Sequence, residues 1–151
     1  MDSERDGANP KRVQLIISAK SSGSGGGASK LAGLPREETQ QRFTQALDSA
    51  AAEVFEMMVG TPLGSSDQAT LPRVADYTAM IGLAGDLCGV LSFRCSIGSA
   101  ARIAGKMLGT EEETSAECIR DALGEICNMV AGSFKAQLSD VAEQCMLYIR
   151  A

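Results

Sequence analysis

The stretch Asp121-Ala-Leu-Gly-Glu125-Ile-Cys-Asn128-Met-Val-Ala-Gly132 decides how this chain is read. At about 100° per residue, helical positions 121, 125, 128 and 132 stack along one narrow stripe. Ile119, Leu123, Ile126, Cys127, Val130 and Phe134 fall on the opposite side and form a complete apolar face. The helix can therefore bury that face without using the stripe. Asp121, Glu125 and Asn128 are then either solvated helix polars or part of a surface, ending in Gly132, that addresses something outside the core. Gly124, Ala131 and Gly132 carry two readings as well: low ground for an approaching backbone, or helix–helix packing.

Working outward, Glu111 to Glu113 and Ser115 open this helix, which the pattern extends over about residues 114–138. A shorter helix over 98–108 begins after Ser96 and ends at Gly109. Upstream, Asp76–Leu83 and Cys88–Cys95 read as two strands joined by Ala84-Gly85-Asp86-Leu87, with Gly82, Gly85 and Gly89 marking tight turning or bulging. A further strand near Ala69–Ala75 contains Pro72, which restricts it to an edge or an irregular piece. A first long helix runs from Leu34-Pro35 to Val59, with Glu37 and Glu38 at its positive end and Gly60 as its stop. Its buried stripe is Leu47, Ala51, Val54, Phe55 and Met58, with Ser49, Glu53, Glu56 and Gly60 opposite. The chain closes on the strand-like Gln144-Cys-Met-Leu-Tyr-Ile-Arg150.

Residues 1–34 read as a flexible N-terminal extension, because Ser21-Ser-Gly-Ser-Gly-Gly-Gly-Ala-Ser29 has almost nothing to bury. Within it, Val13 to Ile17 is either a short strand or no regular element. The folded domain is assigned to 35–151. The resulting class is α/β in the α+β sense, an antiparallel sheet packed against two long helices. An internal echo pairs Glu53-Val-Phe-Glu56-Met-Met-Val-Gly60 with Glu125-Ile-Cys-Asn128-Met-Val-Ala-Gly132, as a repeated design or by chance.

Composition narrows the chemistry. The 151 residues are 44% apolar and 22% charged, with a formal net charge of −5. Residues 1–35 carry five basic and three acidic groups, net +2, and residues 36–151 carry nine basic and sixteen acidic groups, net −7. An acidic body without tryptophan argues against nucleic acid and suits a protein partner that presents lysine or arginine. There is no histidine, which removes the usual general base and the commonest nitrogen metal ligand. Five cysteines without a Cys-x-x-Cys pair read as buried free thiols of a reducing, cytoplasmic compartment. No membrane-inserting stretch is present. Val13–Lys20 behind Lys11-Arg12 resembles the start of an export signal, but Gln14 and Lys20 interrupt it. Gly98-Ser-Ala-Ala-Arg-Ile-Ala-Gly105-Lys lacks the compact glycine turn of a phosphate-binding loop.

Glu125 and Asn128 stand about one turn apart and can work on one bound object. A carboxamide can hold a water and aim its lone pair, yet it is a poor base. The reaction that suits such a group needs positioning more than proton abstraction, as in hydrolysis of an activated phosphoryl group. Asp121 and Glu125 as a glycosidase pair fit less well, since nothing in the sequence separates their environments.

Phe43–Glu56, Ile81–Leu91 and Asp121-Ala-Leu-Gly-Glu-Ile-Cys-Asn-Met-Val-Ala-Gly-Ser-Phe-Lys135 resemble the CheC/CheX/FliY family of chemotaxis phosphatases, most closely its CheX branch. The resemblance spans roughly residues 40–147. It implies a CheC-like fold and hydrolysis of the aspartyl phosphate on a CheY-type receiver domain, in chemotaxis or a related two-component system. Asn128 then orients the attacking water and Glu125 engages a receiver lysine. Asp121, Gly132 and Lys135 complete the partner-binding surface. Mg²⁺ belongs to the phosphorylated partner and no cofactor to this chain. Glu56 stands where a duplicated motif has asparagine, so the first helix is expected to be silent, with Glu53 and Glu56 as surface charge. One motif per chain is the CheX-like condition, and the resemblance to that branch implies a homodimer. The alternative is a non-catalytic docking module for a receiver or a flagellar-switch protein. The family continues with more strands after the motif helix. Either the C-terminal strands are shortened, or residues 11–19 or a second chain complete the sheet edges.

Overall fold

The structure, a computed structural model, describes residues 13–21, 36–64, 76–85, 87–139 and 145–149. Its elements in chain order are β1 (Val13–Ser21), α1 (Arg36–Val59), β2 (Tyr77–Gly85), β3 (Leu87–Cys95), α2 (Ile97–Leu108), α3 (Ala116–Gln137) and β4 (Cys145–Ile149). The strands form a four-stranded sheet in the order β1-β3-β2-β4. Every pairing is antiparallel.

The two central strands alternate in burial, as a sheet covered on one side requires. Ile81, Leu83, Leu87, Leu91, Phe93 and Cys95 are buried on the helix side, while Thr78, Met80, Cys88 and Val90 are exposed on the other. Ile81 opposes Leu91 and Ala79 opposes Phe93 across the ladder. The register holds from Tyr77↔Cys95 to Leu83↔Gly89 without a slipped position, so Gly82 and Gly89 mark no bulge. Of the three glycines in this hairpin only Gly85 takes a positive φ, 120°, where the chain reverses.

β1 lies in the stretch read as a flexible extension. Its pairing with β3 from Val13↔Cys95 to Ser21↔Leu87 makes it a strand of the sheet. The alternative in which residues 11–19 complete an edge is the one realised. The reason is the unoccupied hydrogen-bonding side of β3, which a sequence read locally does not display. β4 closes the other edge against β2, from Ile81↔Ile149 to Gly85↔Cys145. The expected strand at 69–75, the helix start at 34–35 and the glycine–serine tract 22–29 lie outside the described residues.

The two long helices cover the inner face. Phe55 of α1 meets Phe93 of β3 with ring centroids 5.9 Å apart, and Phe43 meets Phe134 of α3 edge-on at 6.2 Å. Leu47, Ala51, Val54 and Phe55 are buried as the α1 pattern requires, and Met58 packs against them half-buried. Gly60, at φ 64°, ends α1 in the left-handed conformation. α2 starts at Ile97 because two groups take its first free donors. Asp76 Oδ2 accepts from Ile97 N at 2.8 Å, and Ser96 Oγ accepts from Ser99 N at 3.2 Å. It ends on a Schellman pattern, Thr110 N donating to Gly105 O and Gly109 N to Lys106 O, with Gly109 at φ 65°. Ser115 caps α3 through Cys118 N.

Candidate functional site

The periodicity of α3 is realised residue for residue. Ile119, Leu123, Ile126, Cys127, Val130 and Phe134 are buried, so α3 is locked in rotation by its own apolar face. Asp121 and Glu125 are thereby exposed, and Asn128 and Gly132 are half-buried. Lys135, in the last turn and close in phase to the stripe, is half-buried. The candidate residues therefore share one outward strip of a single helix. Two depressions on the described surface lie elsewhere, one lined by Glu37, Gln40, Gln41 and Thr44, the other by Arg42, Gln45, Ala46, Ser49, Gln137 and Leu138.

The glycines separate the two readings of the low ground. A Cβ built at Gly124 or at Gly132 meets no atom within 4 Å. Among the described residues neither glycine is required for packing, and both leave open space beside the stripe. Ala131 behaves otherwise. It is fully buried and belongs to the core, as its neighbour Val130 does.

Glu53 and Glu56 of α1 are exposed, as the pattern opposite its buried stripe expects. Glu53 is more than surface charge, however. Ser133 Oγ donates to Glu53 Oε2 at 2.9 Å, joining side chains 80 positions apart and tying α1 to α3 one residue beyond Gly132. The sequence placed Glu53 and Glu125 in an echo, but it held no local sign that Ser133 would reach the first helix.

The thiols divide into two classes. Cys95 and Cys127 are buried, whereas Cys88 and Cys118 are exposed, which corrects the expectation of uniformly buried thiols. Cys88 falls on the uncovered sheet face and Cys118 in the first turn of α3, positions where apolar neighbours in sequence do not mean burial. Burial pushes the Cys95 thiol up from 9.0 to about 11, with Asp76 adding to the rise. Burial also pushes Cys127 up to about 11, against a smaller opposing effect of a backbone hydrogen bond with Phe93. Both are inert as nucleophiles at neutral pH. Among the described residues no group of three or more Cys, Asp or Glu is placed to hold a metal ion, and no helix is long and apolar enough to cross a membrane.

The family model described as chemotaxis phosphatase CheX matches residues 77–149. That segment, a little under half of the chain, is similar to the CheX family. The match runs from β2 through β4 and contains the whole of α3, so Asp121, Glu125, Asn128, Gly132 and Lys135 all lie inside the matched segment. β1 and α1, which supply a sheet edge and the second long helix, lie outside it. No curated protein matches the chain.

Proposed function

We propose that this chain hydrolyses the aspartyl phosphate of a CheY-type response regulator. The observation that carries the proposal is the pairing of a CheX match with an outward Glu125–Asn128 strip flanked by glycines at which a Cβ would meet open space. In this reading the receiver lies over α3, and its backbone comes close at Gly124 and Gly132. Glu125 pairs with a lysine beside the receiver's phosphoaspartate and fixes register, while Asp121 and Lys135 make flanking contacts. Asn128 donates to and accepts from one water and holds it in line with phosphorus. The water oxygen bonds to phosphorus as the bond to the aspartate oxygen breaks. The carboxylate leaves with the bonding pair, and the water's protons end on inorganic phosphate. Mg²⁺, held by the phosphorylated receiver, neutralises charge on the phosphoryl group. Because the transition state is loose, orientation and charge placement suffice, and no histidine or other strong base is needed. A cytoplasmic homodimer with one strip per subunit completes the proposal.

The test is phosphate release from a Mg²⁺-bound receiver phosphorylated by a small phosphodonor, with the native chain and with Asn128→Ala. Acceleration that disappears in the variant supports the proposal. Binding of the receiver without any acceleration by the native chain overturns it in favour of a docking module.

A further inference from the structure

The strip that carries Glu125 and Asn128 occupies the intrinsically weakest part of α3. It lies between Gly124 and Gly132, and glycine inside a helix costs backbone order relative to alanine. Among the described residues no close approach requires either glycine, since a Cβ at either position would meet open space. On its inner side the segment is held by Ile126, Cys127 and Val130. On its flank, the first residue after the second glycine is Ser133, whose hydroxyl donates to Glu53 of α1 at 2.9 Å. Asn128 stands five residues earlier, about 7.5 Å along the axis.

From this placement we propose that Glu53 is a positioning residue for the α3 strip. Acting through the Ser133 hydroxyl, it pins the helix where the second glycine loosens it, and so restricts the direction in which Asn128 presents its carboxamide. Glu53 does not touch the substrate; its carboxylate serves as an acceptor, and its charge is incidental. This role replaces the expectation that Glu53→Ala is silent. Its kinetic consequence rests on the hydrolytic reading above, whereas its mechanical consequence rests on the fold alone.

Two measurements on the full chain keep those apart. In backbone amide exchange followed by mass spectrometry, Glu53→Ala and Ser133→Ala each speed exchange across 124–132. Glu53→Gln, which keeps an acceptor oxygen, exchanges like the native chain. In receiver dephosphorylation, the same two variants lower kcat about threefold to tenfold, the size of one lost hydrogen bond, with KM unchanged. Glu53→Gln stays within about twofold of native, and the double variant is no worse than either single one, because both changes break the same bond. Unchanged exchange in Glu53→Ala and Ser133→Ala overturns the proposal. So does a Glu53→Gln variant as impaired as Glu53→Ala with a raised KM, which would make Glu53 a direct contact for a partner cation. If the native chain does not accelerate dephosphorylation, the exchange result still decides the pin, and the hydrolytic reading falls separately.

Discussion

Asn128 and Glu125 are neighbours on one turn, yet they are expected to fail differently. On the proposed hydrolytic reading, Asn128→Ala removes the group that aims water and leaves the docking surface almost intact. Turnover should fall by about a hundredfold or more, the scale of lost positioning, while receiver affinity changes little in a titration of the phosphorylated partner. On the same reading Glu125→Ala removes a charge that grips the partner, so affinity and turnover should fall together. Equal loss of affinity in both variants would remove the division of labour. The cysteines offer a check that is independent of function. Cys88 and Cys118 should react with an aromatic disulfide reagent in the native protein at neutral pH, whereas Cys95 and Cys127 should react only on unfolding, as read by peptide mapping of the labelled chain.

On the proposed reading, the glycines of helix α3 give up some helix stability in exchange for access. Gly124→Ala and Gly132→Ala each add a methyl group to open space and remove the helix penalty of glycine. Each should raise stability by about 0.5–1 kcal/mol in urea unfolding. A bulky residue at 132 should instead leave the melting transition in place and weaken receiver docking. Gly109→Ala should behave in the opposite sense, losing about 1 kcal/mol, because φ 65° there suits glycine. Elements of this kind were largely open to reading in advance. The α3 faces followed from Ile119 to Phe134 alone, and the ends of α2 from Ser96 and Gly109, because caps and periodicity are local properties. The bond from Ile97 N to Asp76 at the start of α2 was not open, since Asp76 lies 21 residues earlier, beyond the β2–β3 hairpin. The same is true of the Ser133–Glu53 bond and of β1. Each depends on which distant element lies alongside, and a residue's own neighbours in sequence carry no trace of that.

At the scale of the whole molecule, two buried thiols tie stability to alkaline pH. Their pKa values rise from 9.0 in the exposed chain to about 11 in the fold. The folded state therefore favours the neutral thiol. That contribution is complete below pH 9 and is lost as pH climbs towards 11. Urea midpoints should fall across that window, and replacing Cys95 and Cys127 by alanine should flatten the fall at a cost in packing. The sheet gives the second global expectation. Removing residues 1–21 deletes every β1–β3 pair and leaves β3 as a bare edge, so the melting temperature should drop and the protein should associate with concentration on size-exclusion chromatography. The sheet order also has a consequence for how the chain is made. β1 leaves the ribosome first, yet its partner β3 follows only after roughly 70 further residues, some 4–14 s at ordinary elongation rates. Through that interval Val13-Gln-Leu-Ile-Ile waits as an unpaired apolar segment of the nascent chain, with α1 emerging beside it. A nascent chain arrested before residue 87 should therefore bind holdase chaperones through its first strand and release them once β3 has been translated.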